Sequence, residues 1–503
     1  MHTIFGATLR GVHAEQITVE VDLNKRLPGV SIVGLPASAV RESTERIRCA
    51  FATSGELFPR RRVVINLAPA DRVKRGTSLD LAMALSIWAR DAGRSDLPGI
   101  LAVGELSLDG RVRGVAGTLA FAELAQKRNL TLVIAKCESQ RAARVPGVRV
   151  VAVTSLREAI ERLTTAELSL VCPPELPTHS LHDSPDLADV NGHRLGKRAL
   201  EIAAAGGHHM LLMGPPGCGK SLLAKCLAGL LPLPSTRESL EICRIHDTNI
   251  AGAQSAMRFG QRPFRAPHHS ISTAGLIGDR HLRAGEVCLA HRGVLFLDEA
   301  TEVPRRHLDL LREPMEDRAL TLRRAAGSET FPCATQFVFA ANPCPCGRYG
   351  GKGTCSCGSA KVTAYQSRLS GPLLDRIDIH IWLAPQSTMP WSTSTHTNEH
   401  SAAVRARVQA ARDTQQRRGQ RCQNVELPFK KLNRLLCLRP EAISVLQEAT
   451  ERGDWSTRRL QRVLRVARTI ADLESQPFTT QAHVLESITL TRPIWSEGMA
   501  PCM

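Results

Sequence analysis

A chain of 503 residues with 43% hydrophobic content is long enough for about two to four domains, each with its own core. The first twenty residues lack the apolar core of a signal peptide, and no apolar run approaches the ~20 residues that span a bilayer, so a cytoplasmic protein without a membrane partner is expected. Fifteen cysteines, an odd number, argue against a disulfide framework. The net charge of +17 divides into +7 over residues 1–171, +3 over 172–400 and +7 over 401–503. Such a balance favours polyanions, nucleic acid first, and is equally ordinary for an arginine-rich composition.

In chain order, residues 1–171 alternate strand-like runs (Ile17–Val21, Val63–Leu67, Leu132–Ala135, Val148–Val153) with helical ones (Leu79–Arg90, Leu119–Lys127), which predicts an α/β domain. A Pro-, Ser- and His-rich stretch follows and marks a linker, taken as 172–188. Residues 189–385 form a second α/β unit. After a Ser/Thr-rich break, 386–503 is predicted to be mostly helical, with helices over Glu441–Arg452 and Arg458–Glu474.

The second unit opens with the strongest motif. An apolar strand, Met210–Met213, runs into Gly214, Pro215, Pro216, Gly217, Cys218, Gly219, Lys220 and Ser221, then a helix. This is the P-loop pattern in its confirming context. Backbone N–H groups curl around phosphates, helped by the helix dipole. Lys220 reaches the terminal phosphates of ATP, and Ser221 binds Mg²⁺. Downstream, "GVLFLDEA" is a buried strand ending in two acids: Asp298 suits Mg²⁺ and Glu299 the base that activates water. A third strand, "TQFVFAANP", ends at Asn342, which can sense the γ-phosphate or hold the water. "SGPLLDRIDIHI" offers Arg376, and "DWSTRRLQRVLRVARTIADL" offers Arg458 near a helix start; a surface salt bridge is the competing reading for each.

These segments in this order, with "AANPCPCG" and the N-terminal "NLAPADRVKRGTSLDLAMAL", resemble the ComM/YifB family over nearly the whole chain. That family consists of AAA+ ATPases related to the magnesium-chelatase motor subunit. The resemblance implies a homo-hexamer hydrolysing ATP at subunit interfaces, with Asn342 as sensor 1, Arg376 as an arginine finger acting in trans and Arg458 as sensor 2. It also implies a helical lid and a role in DNA branch migration during natural transformation.

Two segments look like additions to the minimal nucleotide fold. Residues 257–283 hold five arginines against one acid, and 318–337 reads as strand, turn at Ala325–Ser328, strand. They resemble the helix-2 insert and pre-sensor-1 hairpin of this AAA+ branch. Arg262, Arg265, His268, His269, Arg323 and Arg324 are the candidates for DNA phosphates, against a solvated basic surface or interface salt bridges.

"VKRGTSLDLAMAL" and "VGELSLDGRVRGVAGTLAFAEL" resemble the proteolytic domain of Lon, which implies a ribosomal-S5-type α/β fold for residues 1–171. Ser78 matches the nucleophile. The position of the activating lysine falls on Phe121, whose ring accepts no proton, so a binding or assembly module is expected.

Cys344, Cys346, Cys355 and Cys357 form Cys-x-Cys, eight residues, Cys-x-Cys, with Gly347, Gly350, Gly351, Gly353 and Gly358 for turns. Four thiolates suit tetrahedral Zn²⁺; buried free thiols or a redox-active loop are the alternatives. The expected function is a DNA-translocating ring ATPase. The competitors are a chelatase motor inserting Mg²⁺ into a porphyrin, and an ATP-dependent protease or regulatory adaptor.

Overall fold

The computed structural model describes residues 4–94, 99–165, 169–172, 184–248, 257–324, 327–350, 355–385, 398–453 and 455–494. Most of the expected linker 172–188, the break after 385, the hairpin tip Ala325 and Ala326, and Gly351 and Gly353 lie outside these residues.

Among the described residues the first unit has nine strands: β1 (Ile4–Arg10), β2 (His13–Asn24), β3 (Gly29–Val33), β4 (Arg62–Ala68), β5 (Ile100–Val103), β6 (Glu105–Leu106), β7 (Val112–Arg113), β8 (Thr131–Ala135) and β9 (Arg149–Val153). Seven build one mixed sheet in the order β3-β4-β2-β1-β5-β8-β9, while β6 and β7 pair separately. Side chains two apart share a face. Ile100, Ala102, Val133 and Ala135 therefore join one core with the buried helix Asp80–Asp91. Leu101, Val103, Leu132 and Ile134 join the other with helix Thr118–Lys127.

The second unit contains β10 (Met210–Met213), β11 (Phe264–Arg265), β12 (Val294–Leu297), the hairpin β13 (Ala319–Arg324) and β14 (Gly327–Pro332), β15 (Gln336–Ala341) and β16 (Ile379–Trp382). Five form a parallel sheet, β11-β12-β15-β10-β16. Its strands are covered on both faces, as parallel strands require. Met210, Leu212, Val338 and Ala340 face one core and Leu211, Met213, Phe337 and Phe339 the other. A smaller core joins Leu432, Leu446, Val463, Ala467 and Val484 in the C-terminal helical region.

Three sequence expectations change. Phe264–Arg265 lies inside the supposed insert yet forms edge strand β11, because it pairs with β12 at Val294 and Leu295. The hairpin turn is tighter than expected, since Gly327 and Ser328 belong to the ladder opposite Arg324 and Arg323. Helix Ser401–Arg417, expected as part of the C-terminal helical region, buries Val404, Val408 and Ala411 in the core of the P-loop unit, which also takes in Val466, Ile470 and Leu490 from that region.

The two α/β units are packed together. Helix Thr236–Asp247, started by a Ser235–Glu238 capping box, lays Leu240 and Cys243 against the first unit's core. At its end Asp247 accepts from the Leu119 N–H at 2.9 Å and from Arg141 at 2.7 Å. Arg244 pairs with Glu123 at 2.7 Å.

Candidate nucleotide site and its surroundings

Parallel pairing brings three loops to one end of the sheet. The P-loop follows Met213 on β10, Asp298 and Glu299 follow β12, and Asn342 follows β15. Crevices outside the carboxyl ends of such strands are where α/β proteins bind ligands. Gly217 and Gly219 have φ of 77° and 86°, a left-handed conformation that glycine adopts without steric cost. Gly219 stands directly before helix Lys220–Leu230, whose first N–H groups have no intrahelical acceptor and suit an anion.

The side chains converge. The Lys220 ammonium donates to the Gly214 carbonyl at 2.7 Å, to Pro215 at 2.9 Å and to Asn342 Oδ1 at 3.0 Å. Burial pushes its pKa down. Held by these three neutral oxygens and the Cys218 sulfur at 3.9 Å, it is poised to exchange them for phosphate. Ser221 donates to Asp298 at 2.6 Å, so a hydroxyl and a carboxylate face one point. This oxygen pair fits Mg²⁺, and the glycine cradle fits the phosphates of ATP.

Glu299 holds a left-handed φ of 48°, a conformation uncommon outside glycine. Its carboxylate meets His269 at 3.1 Å. His269 thus reaches the Glu299 carboxylate, a contact between positions 30 apart in sequence that no local motif reveals. A group that the sequence did not single out is His193, which has φ of 47° before helix Arg194–Gly206 and accompanies the P-loop at Cys218 and Gly219.

The other proposed DNA contacts divide. Arg262 is buried, not presented. It donates to the Pro232 and Arg292 carbonyls at 2.5 and 2.8 Å and pairs with Glu238 at 2.9 Å, so it clamps the capped helix. Arg265 is half-buried and bidentate to Glu286 at 2.6 Å. His268, Arg323 and Arg324 are exposed, the two arginines at the hairpin end.

Arg376 and Arg458 do not join the P-loop cluster of their own chain. Arg376 precedes β16, at the end of the sheet where the Asp378 and Ile379 N–H groups donate to the His209 carbonyl at 3.2 and 3.1 Å. The P-loop leaves β10 at the opposite end, at least ~13 Å away along the strand. Arg376 and Arg458 line one cavity of about 210 Å³, which also contains Asp375 and Glu316. Arg376 pairs with Glu316 and donates to the Pro372 carbonyl at 2.7 Å. Arg462, one helical turn after Arg458, donates to the Leu374 and Ile377 carbonyls at 3.1 and 3.0 Å and fixes this segment to the lid.

Cys344, Cys346, Cys355 and Cys357 have sulfur atoms all within 4.8 Å of one another. Three pairs are 3.3, 3.7 and 3.6 Å apart. Thiolates at ~2.3 Å from one tetrahedral Zn²⁺ stand about 3.8 Å from each other, so the donor set fits. The Arg348 backbone N–H draws the Cys346 thiol down to about 6. A Cβ on Gly347 would lie 2.5 Å from Pro216, which places the cysteine loop hard against the phosphate loop.

In the first unit, Ser78 donates to the Ala7 carbonyl at 2.7 Å, and Phe121 is buried in the apolar core that includes Ala7.

Comparison with known proteins agrees with this geometry. The family description "Magnesium chelatase, subunit ChlI" matches residues 186–390, "Subunit ChlI of Mg-chelatase" matches 19–138, and the ChlI C-terminal description matches 398–491. The chain is 38% identical over 483 residues to the uncharacterized protein YifB of Escherichia coli K12, covering 95% of this chain and 94% of that protein. It is 36% identical over 495 residues to the competence protein ComM of Haemophilus influenzae, covering 96% of each. The chain therefore belongs to the magnesium-chelatase subunit ChlI family, among the YifB and ComM proteins, a family of Mg-chelatase-like ATPases.

Proposed function

We propose that this ATPase works as a homo-hexameric ring that moves on DNA and drives branch migration of recombination intermediates. The observation that carries the DNA part is His269 on Glu299. A residue of the basic segment 257–283 occupies the carboxylate that has to take a proton from the attacking water. When a DNA phosphate draws the imidazole away, Glu299 is freed for chemistry. The related ComM, named a competence protein, supports the same reading.

Within the site, the Lys220 ammonium and P-loop amides bind and orient the triphosphate, and Asn342 fixes the γ-phosphoryl end. Mg²⁺, held by Ser221 and Asp298, would neutralise charge on the β- and γ-oxygens. The separation of Arg376 and Arg458 from their own P-loop supports ring assembly: each subunit would offer both arginines to its neighbour's phosphates. Zn²⁺ at the four cysteines would be structural, with every ligand position taken by sulfur.

A chelatase motor is the second reading, favoured by the family description. Turnover measured without DNA, then with single strands, duplex and a four-way junction, separates the two. Stimulation by DNA is expected, largest with the junction. His269→Ala should raise the DNA-free rate and flatten the response. A rate indifferent to every DNA would overturn the proposal.

A further inference from the structure

The sheet of the first unit carries, at one end, a loop that the motor reading leaves without a task. β2 ends at Asn24 and β3 begins at Gly29, and both pair with β4 at Arg62, one from each side. Lys25, Arg26, Leu27 and Pro28 therefore cross over the start of β4. Arg60, Arg61 and Arg62 enter β4 beneath them. Register alone gathers five cations at one edge, and all five are exposed. Among the described residues none of them is ion-paired. Of the acids nearby in sequence, Asp22 is paired with Arg90 at 3.4 Å and Glu56 is exposed.

At the apex of this basic loop, Leu27 is 88% exposed, the most exposed of the large hydrophobic residues in the described chain. Pro28 beside it has a fixed φ, which stiffens the projection. An apolar tip among cations is the chemistry of a nucleic-acid wedge: the cations hold phosphates, and a leucine or proline packs between unstacked bases. A lipid surface would call for a broad apolar face, as on an amphipathic helix, where this loop has one projecting leucine. A second copy of the chain would bury an interface depleted of charge at its centre, and here like charges surround the leucine.

We infer that the Lys25–Pro28 loop, with Arg60, Arg61 and Arg62, is a second nucleic-acid contact, in which the cations grip phosphates at a DNA branch point and Leu27 packs against the base pair exposed there. This rests on the DNA reading above and adds a site outside the ATPase unit.

The test uses the full chain and a four-way junction carrying 2-aminopurine beside the branch, with matched duplex as control. Binding is measured against salt. Lys25→Ala with Arg26→Ala, and separately Arg60→Ala with Arg61→Ala, should each lower the salt slope by about 2 and weaken binding at least about tenfold at 0.1 M salt. Leu27→Gly should keep the slope and the duplex affinity, reduce preference for the junction, and abolish the fluorescence rise. Unchanged slopes in both double variants, while wild type binds DNA, would overturn the inference and leave the motor reading standing. So would a change in ring size caused by Leu27→Gly, or loop-dependent binding to vesicles of 30% phosphatidylserine with junction binding intact. A wild-type chain that binds no DNA would overturn both.

Discussion

Each α/β unit buries a lysine close in sequence to a serine, and the two pairs differ in what surrounds them. Lys74 gives its ammonium to the Pro69 carbonyl, and Ser78 gives its hydroxyl to Ala7. Both donate to backbone carbonyls, and both are buried. Lys220 also rests on carbonyls, but Asn342 stands beside it, and Ser221 faces Asp298 across an open glycine loop. Burial and residue type are shared; convergence from three strand ends is not. A site arises where polar groups from separate strands meet around space that a ligand can enter. The first unit keeps the residue types without that meeting point.

Mutations can break or sharpen this contrast. The largest effect is expected from Lys220→Ala, which should abolish ATP binding in a fluorescent-nucleotide titration. Lys74→Met should leave that titration unchanged, and loss of nucleotide affinity there would collapse the distinction. Next, Arg376→Ala should bind ATP normally and hydrolyse it ~10³–10⁵-fold more slowly, as for other arginine fingers. Mixing it with Lys220→Ala subunits should restore turnover at intact interfaces; no recovery despite co-assembly would place Arg376 in its own subunit's chemistry or in structure alone.

Cys355→Ser should reduce bound zinc from about one per chain to none and weaken ATP binding, because Gly347 of the same loop abuts Pro216. Elemental analysis beside the nucleotide titration checks both halves. Smaller still is the effect at the joint between units. Burial raises Asp247 from 3.8 to about 6. The folded state thus binds a proton that the unfolded state releases between about pH 4 and 6, so this group's contribution to stability increases as pH falls through that window. The gain is at most about 3 kcal/mol. Relative to Asp247→Asn, the wild type should become more stable on going from pH 7 to pH 4.5 in paired thermal melts; parallel curves would contradict the assignment. Ser78→Ala should change neither ATPase nor DNA binding, and no peptide substrate should be cleaved. A serine-directed probe labelling Ser78 would reverse that view.

The parts that were legible in the sequence are those whose function is written locally. The P-loop, the acids after an apolar strand, Asn342 and the paired Cys-x-Cys segments each carry their chemistry within a few residues. Contacts between distant segments were not legible. Arg262 and Arg265 were named together as candidates for phosphate, yet Arg262 is sequestered by Glu238, whose position follows from the Ser235 cap. Arg458 stood out only as an arginine near a helix start, and its sharing a cavity with Arg376, Asp375 and Glu316 could not be read from the sequence. His193 gave no signal, since a single histidine before a helix is uninformative. Asp247 gave no signal either, because its partners, Leu119 and Arg141, belong to the other unit.

The contact of Gly347 with Pro216 has a thermodynamic corollary. Two ligands that share a boundary are linked, and linkage is reciprocal. If metal at the four thiolates tightens the phosphate loop for ATP by some factor, ATP must tighten the thiolates for metal by the same factor. Nucleotide-loaded protein would then hold a metal at these thiolates against a chelator longer than empty protein, and oxidants of cysteine would preferentially disarm chains caught between turnovers.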